Sequence, residues 1–456
     1  MHYHHRIMVQ YMINTANEIV KKIPFFLSKN PFVSNVLKLM TGSTLGYLTL
    51  LLALPLLSRI YTPEDFGLFG IFWIVSISIS AISTGGYEYA IILPKEDKDA
   101  ANLLAVSVLC ICAVSGLCLL IILFIENTLV RMFAVPNLVS ILRWIPFMIL
   151  NLGLFNVLNF WLTRKKAFSK ISAARFIQQF SIAAVQLTIG YMISGTSTGL
   201  VIGVILGQLV ACIFLGWLAL SNGWKGLYQN VSFKAMLWNM KRYRKFPRYH
   251  FFSFILSGGS EQIPFLFLAY FFNSLAVGWY TLTYKVLTAP ADFISKAVTP
   301  VFIQRINEKK IEGDSAISVI ISTIKYLVLL GVLPMLGFIL LAPSFFAVFF
   351  GEPWRSAGEY AQIIAPAYFL KFILYPISSV IEVYERLRFR FWEQLLHFFL
   401  VVFSFGVGGL LGSTKISLAL YTILFTIRSV ILIYFIITIG RQPFQSDKDI
   451  PNTPYA

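Results

Sequence analysis

The chain has 456 residues, of which 57% are hydrophobic and 12% are charged, and its mean hydropathy is +0.75. A soluble domain carries roughly 25% charged residues, so the composition excludes an ordinary soluble protein and predicts a membrane protein. The net charge of +17 does not indicate a nucleic-acid partner, because the basic residues lie in gaps between apolar stretches and not on one soluble face.

Residues 1–35 contain no apolar run long enough to cross a bilayer. We interpret them as a cytoplasmic N-terminal lead. A cleavable signal peptide is not expected, because no apolar core with a small-residue cleavage site follows the charges of this segment.

Twelve apolar stretches follow, long enough to cross a bilayer as helices of about 20 residues. Lipid offers no hydrogen-bond partners, so the backbone must pair within each segment, as a helix does. We therefore predict an all-α polytopic membrane protein with twelve transmembrane helices. The predicted spans are 36–59, 67–93, 101–125, 139–162, 177–193, 200–220, 251–272, 276–302, 317–342, 360–384, 393–411 and 416–439.

The lysine and arginine residues collect in every second gap between these spans. Cytoplasmic loops of membrane proteins carry an excess of Lys and Arg, so the basic gaps are assigned to the cytoplasm. The opposite gaps hold only Arg131, Arg355 and Lys415. Both termini are then cytoplasmic.

The gap at 221–250 divides the spans six and six. It is a basic cytoplasmic linker between an N-terminal lobe, 36–220, and a C-terminal lobe, 251–440, and a cytoplasmic tail follows at 441–456. Aromatic and aliphatic residues alternate with Lys and Arg in this linker, as in a helix that lies in the headgroup layer. A solvated linker beside anionic lipid and a hinge between lobes are both compatible with the pattern.

The two lobes show a weak internal repeat with an offset of 211 residues. Tyr61 aligns with Phe272 and Gly67 with Gly278, and each pair lies where a short outer loop leads into the next helix. A repeat of six spans is parallel, and transporters built from parallel repeats bind their substrate where the halves meet.

Several charged residues lie inside the predicted spans, where a charge costs at least about 2.5–3.5 kcal/mol at mid-bilayer. Asp292 and Lys296 lie one turn apart, so a structural ion pair is one interpretation. A water-filled cavity for an anionic substrate is the other. The deep residues are Glu261, Lys285, Asp292, Lys296, Lys371 and Arg428.

No enzyme motif occurs in the sequence, so we predict no catalytic residue and no cofactor. There is no phosphate-binding loop and no Cys/His spacing typical of a metal site. The four cysteines lie in apolar runs, where they act as small hydrophobic residues. Transport, if that is the activity, then depends on an ion gradient, the membrane potential or the gradient of the substrate.

Two runs in the first spans resemble the polysaccharide-biosynthesis (Wzx-type) flippases of the MOP superfamily. The first is KLMTGSTLGYLTLLLALPLLSRIYTPEDFGLFGIF, Lys38 to Phe72, and the second is GGYEYAIILPKEDKDAANLL, Gly85 to Leu104. Arg59 and Glu88 match positions of the family's motifs. The similarity continues weakly through Asn159 to Phe176, and in the second half it rests on topology.

The resemblance implies a V-shaped molecule of two six-helix lobes in the bacterial inner membrane. Such proteins move undecaprenyl-pyrophosphate-linked oligosaccharide from the inner to the outer leaflet for O-antigen (lipopolysaccharide), capsule or exopolysaccharide synthesis, by alternating access. The expected partners are this anionic lipid-linked substrate, membrane lipids, a polysaccharide polymerase and glycosyltransferases. The expected substrate-translocation cavity contains Arg59 and Glu88 together with the six deep charged residues.

Two alternatives stay open at this point. A cation-coupled multidrug exporter of the same superfamily would favour buried acids for cationic drugs, whereas here the buried cations outnumber the acids. A membrane-embedded glycan polymerase or glycosyltransferase usually has a large outer loop, and the longest one here is 343–359.

Overall fold

A computed structural model describes residues 31–133, 140–193, 195–220 and 231–442, and the described residues form helices without strands. The N-terminal lead up to residue 30, part of the linker at 221–230 and the tail from 443 lie outside the described residues. The helices are α1 Pro31–Ile60, α2 Pro63–Ser83, α3 Tyr87–Ala90, α4 Asp97–Phe133, α5 Ile145–Arg164, α6 Phe168–Met192, α7 Ser197–Leu220, α8 Phe233–Arg242, α9 Lys245–Phe271, α10 Ser274–Glu312, α11 Ile317–Phe350, α12 Arg355–Ile377, α13 Ser379–Val383, α14 Leu387–Leu410 and α15 Thr414–Arg441.

Each of the twelve predicted spans lies mainly on helix. Within the described residues, eight helical segments are long and apolar enough to cross a membrane, so the chain is a multi-pass membrane protein. The count of twelve membrane helices stays a prediction. Most of these helices begin before the predicted spans, because hydropathy marks only the apolar middle of a helix whose ends enter the polar interface. Their ends differ from the prediction in both directions: α10 continues to Glu312, past the predicted end at 302, whereas α2 ends at Ser83, short of the predicted end at 93.

The helices α2 and α10 begin in the same way at positions related by the offset of 211. Thr62 caps α2, and its side chain and that of Asp65 satisfy each other's backbone N–H groups in a capping box. Asn273 caps α10 and accepts a hydrogen bond from the backbone nitrogen of Ala276 at 2.9 Å. A side-chain oxygen at this position satisfies one of the free N–H groups of the first turn. The caps therefore place α2 and α10 equivalently after their short loops.

The same pairs of helices are in contact in each half of the chain. In the first half α1 packs on α6, α6 on α7, and α5 on α2, α4 and α7. In the second half α9 packs on α14, α14 on α15, and α12 on α10, α11 and α15. Contacts between the halves run mainly between α2 and α10. This correspondence agrees with the sequence repeat, while the division into two lobes stays a prediction.

The linker is partly helical. Its described part contains α8 and the start of α9, which begins at Lys245, inside the predicted linker. Ser232 caps α8 by accepting a hydrogen bond from the backbone nitrogen of Ala235 at 3.2 Å. In the described part of the linker, α8 packs against α4.

Candidate functional site

Glu261 on α9 and Lys371 on α12 form an ion pair inside the second half. The Lys371 Nζ atom lies 2.6 Å from Glu261 Oε1 and 2.7 Å from Oε2. The side chains of Lys371 and Glu261 remain 26% and 37% exposed, although both lie well inside long apolar helices. The pair therefore lines open space rather than closed core. The sequence predicts both residues as cavity residues, and the structure brings them together.

An aromatic cluster formed by Phe265, Tyr280, Tyr284 and Tyr368 lies beside this ion pair. The ring centroids of Phe265 and Tyr280 are 4.9 Å apart, and those of Tyr284 and Tyr368 are 6.2 Å apart. The Lys371 ammonium lies 5.3 Å from the Tyr368 ring and 6.0 Å from the Tyr284 ring. Aromatic faces attract a cation, so the rings of Tyr284 and Tyr368 add to the attraction that Glu261 exerts on the Lys371 side chain.

Arg428 on α15 pairs with Glu393 on α14. Both side chains are largely buried, and Arg390 Nη1 lies 3.4 Å from the second Glu393 oxygen. The sequence pattern places Glu393 at the start of a span, where its side chain would reach the interface. The structure instead buries the Glu393 side chain against Arg428, almost two turns after the start of α14 at Leu387. Arg428 is therefore a paired cation in this conformation.

Lys285 on α10 differs from Lys371 and Arg428, because its described neighbours are aromatic rings and not a carboxylate. Its ammonium lies 4.9 Å from the centroid of the Phe69 ring and 5.9 Å from that of Phe66, both on α2. Among the residues that the structure describes, no carboxylate lies within ion-pair distance of Lys285. Lys285 thus lies where the two halves of the chain meet, with the aromatic faces of Phe66 and Phe69 beside its ammonium group.

Asp292 and Lys296 lie further along α10, toward its C-terminal end. The Asp292 side chain is partly buried and interacts with its surroundings. The side chain of Lys296 lies outside the described residues. The predicted ion pair between them is therefore untested.

Arg59 and Glu88 do not lie in one site. Arg59 is exposed just before α2 and donates a hydrogen bond from Nη2 to the carbonyl of Val348 on α11 at 3.0 Å. Glu88 lies beyond the other end of α2 and is buried, and it accepts a hydrogen bond from the Thr84 hydroxyl. A helix of 21 residues is about 30 Å long, so α2 separates the two motif residues by about that distance.

Trp354 forms a contact between the two halves that we did not predict from the sequence. Its indole nitrogen donates to the carbonyl of Ser58 at 3.0 Å, and its ring packs edge-on against Phe66 at 4.9 Å. Trp354 is fully buried. A lone Trp between two long helices gives no pattern from which this contact could be derived, since the contact joins residues 296 positions apart.

Within the described part of the chain, no cluster of three or more His, Cys, Asp or Glu residues could hold a metal ion. The four cysteines are free thiols. The residues of the candidate site offer cations, carboxylates and aromatic faces, which can bind charged and polar groups.

Comparison with known proteins gives a family match and a fold match. The family model described as polysaccharide biosynthesis protein matches residues 56–359. The teichuronic acid biosynthesis protein TuaB of Bacillus subtilis is 22% identical over 286 residues, which are 61% of this chain and 57% of that protein. The chain thus spans little more than half the length of this relative.

Solved structures with the same fold are a flippase and a multidrug transporter. The lipid II flippase MurJ, in an inward closed conformation, superposes with a TM-score of 0.66 at 12% identity, covering 89% of this chain and 87% of that one. An inward-facing multidrug resistance MATE family transporter of the MOP superfamily superposes with a TM-score of 0.57 at 13% identity, covering 88% and 95%. At these identities the likeness shows the fold alone.

Proposed function

The chain belongs to the family of polysaccharide biosynthesis proteins, and from that premise we propose that it flips a lipid-linked oligosaccharide across the bacterial inner membrane. The substrate would be an undecaprenyl-pyrophosphate-linked repeat unit for O-antigen, capsule or exopolysaccharide. Its direction would be from the inner to the outer leaflet. The flippase and transporter fold of the solved neighbours supports movement of a substrate across the bilayer.

The observation that carries this proposal is the position of Lys285. An ionised group inside a bilayer is costly unless it is paired, and a cation–π contact contributes only about 0.5–2 kcal/mol. Lys285 has such contacts with Phe66 and Phe69 and no carboxylate partner in the described region. A pyrophosphate that enters between α2 and α10 would supply the missing anion.

Two further cations are held in ion pairs that could exchange partners. Lys371 is paired with Glu261, and Arg428 with Glu393. When a pyrophosphate is present, Lys371 can turn from Glu261 toward the stronger anion, since the open space beside the pair admits a ligand. The prenyl chain can stay in lipid, so only the pyrophosphate and the sugars need the polar path.

Movement of the substrate requires that the two halves change their contact. In the proposed cycle, six helices of each half move as one lobe about the contact between α2 and α10, as in transporters that are built from parallel repeats. The chain would open toward the cytoplasm to admit the substrate and then toward the outside to release it.

A cation-coupled multidrug exporter is the competing function, because a MATE transporter has the same fold. The charge at the junction between the halves argues against it. Lys285 is a cation, and a like charge at the entry of a cationic drug would be unfavourable.

Reconstitution into liposomes tests the proposal. Fluorescent undecaprenyl-pyrophosphate-linked oligosaccharide is added to proteoliposomes, and a membrane-impermeant quencher reports how fast the lipid changes leaflet. We expect flipping by the parent protein and at least tenfold slower flipping by Lys285→Met. Lys285→Met should also raise the melting temperature, since it removes a costly charge from an apolar stretch.

Lys310→Met is the matched control, because it removes a cation from the exposed cytoplasmic end of the same helix. It should leave flipping unchanged. If the parent protein moves the lipid no faster than protein-free liposomes do, but exports a cationic dye, the exporter is the correct function.

A further inference from the structure

An apolar groove runs along the outer surface of the first half of the chain. Its volume is about 660 Å³, and it is lined by side chains of α4, α5 and α7. Leu109 and Ile213 line it and are 55% and 63% exposed, so the groove is open on the outside of the helix bundle. Val231 and Met236 close one end of it.

The helix α8 lies at this end and is attached to α4 by one face. Met236 and Asn239 are buried on that face. Asn239 Nδ2 lies 3.4 Å from Asp99 Oδ1, and the backbone nitrogen of Ser232 donates to Asn102 Oδ1 at 3.1 Å. These contacts hold α8 across the end of the groove in one orientation.

The opposite face of α8 is exposed and amphipathic. Successive residues of a helix are turned by about 100°, so Phe233 and Leu237 form an edge beside Met236, and Lys234 and Lys241 follow next to it. Phe233 and Leu237 are 72% and 50% exposed. Both lysines are exposed as well.

We propose that this groove and α8 bind one bilayer phospholipid with an anionic headgroup. An acyl chain would lie along α4, α5 and α7, and the phosphate would contact Lys234 and Lys241. Phe233 and Leu237 would enter the acyl region next to it, as the apolar face of an interfacial helix does.

Charge and position identify the occupant. From residue 231 to 250 the sequence contains no Asp or Glu, and Asp99 faces Asn239 on the other side of α8. Basic segments at the cytoplasmic surface are attracted to anionic lipid. The described residues that line the groove belong to helices of the first half and to the linker, so the groove is separate from the α2–α10 junction that we assign to the transported lipid.

Occupation of this site would stabilise the joint between the two halves. The carbonyl of Met240 accepts a hydrogen bond from the Tyr87 hydroxyl at 3.4 Å, and α9 begins at Lys245, directly after α8. A lipid that fixes α8 therefore also fixes the point where the second half begins.

Native mass spectrometry of the full-length protein in detergent tests the proposal. The protein is titrated with dioleoyl phosphatidylglycerol, which is anionic, and with dioleoyl phosphatidylcholine, which has no net charge. Each cation near an anionic headgroup strengthens binding about fivefold, so Lys234→Gln with Lys241→Gln should weaken phosphatidylglycerol retention about 25-fold. Phosphatidylcholine retention should fall much less, because its choline cation cancels the charge of the phosphate. Ala105→Phe, which fills the groove, should weaken both lipids.

The control is Arg386→Gln with Arg388→Gln, which removes two exposed cations from another predicted cytoplasmic segment. It should retain phosphatidylglycerol as the parent protein does. Equal retention of the two lipids by the parent, or equal weakening by the control pair, would overturn the proposal. Displacement of phosphatidylglycerol by an equal concentration of undecaprenyl pyrophosphate would also overturn it, because the groove would then belong to the transported lipid.

Discussion

The ion pair of Glu261 with Lys371 has two possible roles. It can join α9 to α12, or it can hold a cation that binds the substrate. Their atoms lie at ion-pair distance, and yet both side chains keep part of their surface open. The open surface indicates that another group can approach Lys371.

Exchanging the charges of Glu261 and Lys371 distinguishes a structural role of the pair from a role in substrate binding. Lys371→Ala leaves Glu261 without its partner and should lower the free energy of unfolding by about 1–3 kcal/mol, between the values for exposed and fully buried pairs. Glu261→Lys combined with Lys371→Glu should restore most of this stability, as measured by thermal unfolding in detergent. Flipping should stay low, because the exchange moves the cation from α12 to α9. Recovery of both stability and flipping would show that the pair is structural.

At the level of elements, the crossing of α2 and α10 is unusually close. A β-carbon built on Gly67 would overlap the carbonyl oxygen of Ser274 and lie 3.0 Å from the backbone nitrogen of Gly278. One built on Gly278 would overlap the carbonyl oxygen of Pro63 and lie 3.1 Å from the nitrogen of Gly67. The two contacts are equivalent, because Pro63 and Ser274, like Gly67 and Gly278, are related by the offset of 211. Only glycine permits the two backbones to approach this closely.

We expect Gly67→Ala to move α2 away from α10 and to loosen the contact of Trp354 with Ser58. Overpacking should lower the free energy of unfolding by about 1–3 kcal/mol. A cysteine introduced at Ser58, in a variant without the four native cysteines, should react faster with an impermeant maleimide once Gly67 is replaced.

Gly116→Ala is the control, since nothing lies within 4 Å of a β-carbon there. It should be neutral or up to about 1 kcal/mol more stable. Unchanged labelling at position 58 would show that the close crossing of α2 and α10 does not control access to this position.

The sequence predicted the positions of the elements better than their contacts. Every predicted span is mainly helical, because a long apolar run has few other structures available in lipid. The repeat aligned Gly67 with Gly278, but no sequence pattern indicated that the two residues touch each other. The partner of Arg428 was missed because Glu393 lies near the edge of an apolar run and inside a longer helix. The contact of Trp354 with Ser58 joins distant residues and follows only from the packing.

For the molecule as a whole, the ion pairs agree with the sidedness that the sequence predicts. Arg164 and Asp97, both from predicted cytoplasmic segments, are joined at 3.0 Å. Lys415 and Glu359, both at predicted outer ends, are joined at 2.9 Å. Segments assigned to one side thus meet each other, as they must if the helices cross a bilayer. These contacts are equally compatible with the inverted orientation, so the direction rests on the basic residues alone.

Cysteine labelling on the two sides determines that direction. Lys415→Cys and Arg388→Cys both replace exposed residues and are introduced singly into a variant that lacks the native cysteines. In spheroplasts, an impermeant maleimide should label the cysteine at 415 at once and the one at 388 only after the membrane is disrupted. The excess of Lys and Arg in the segment around 388 holds it in the cytoplasm, whereas the loop around 415 has a single cation. The reverse labelling would invert the topology and place the α8 lysines on the outer face, where they could no longer meet the anionic lipid of the cytoplasmic leaflet. The orientation of the whole chain therefore also determines which leaflet supplies the phospholipid that we propose for the groove.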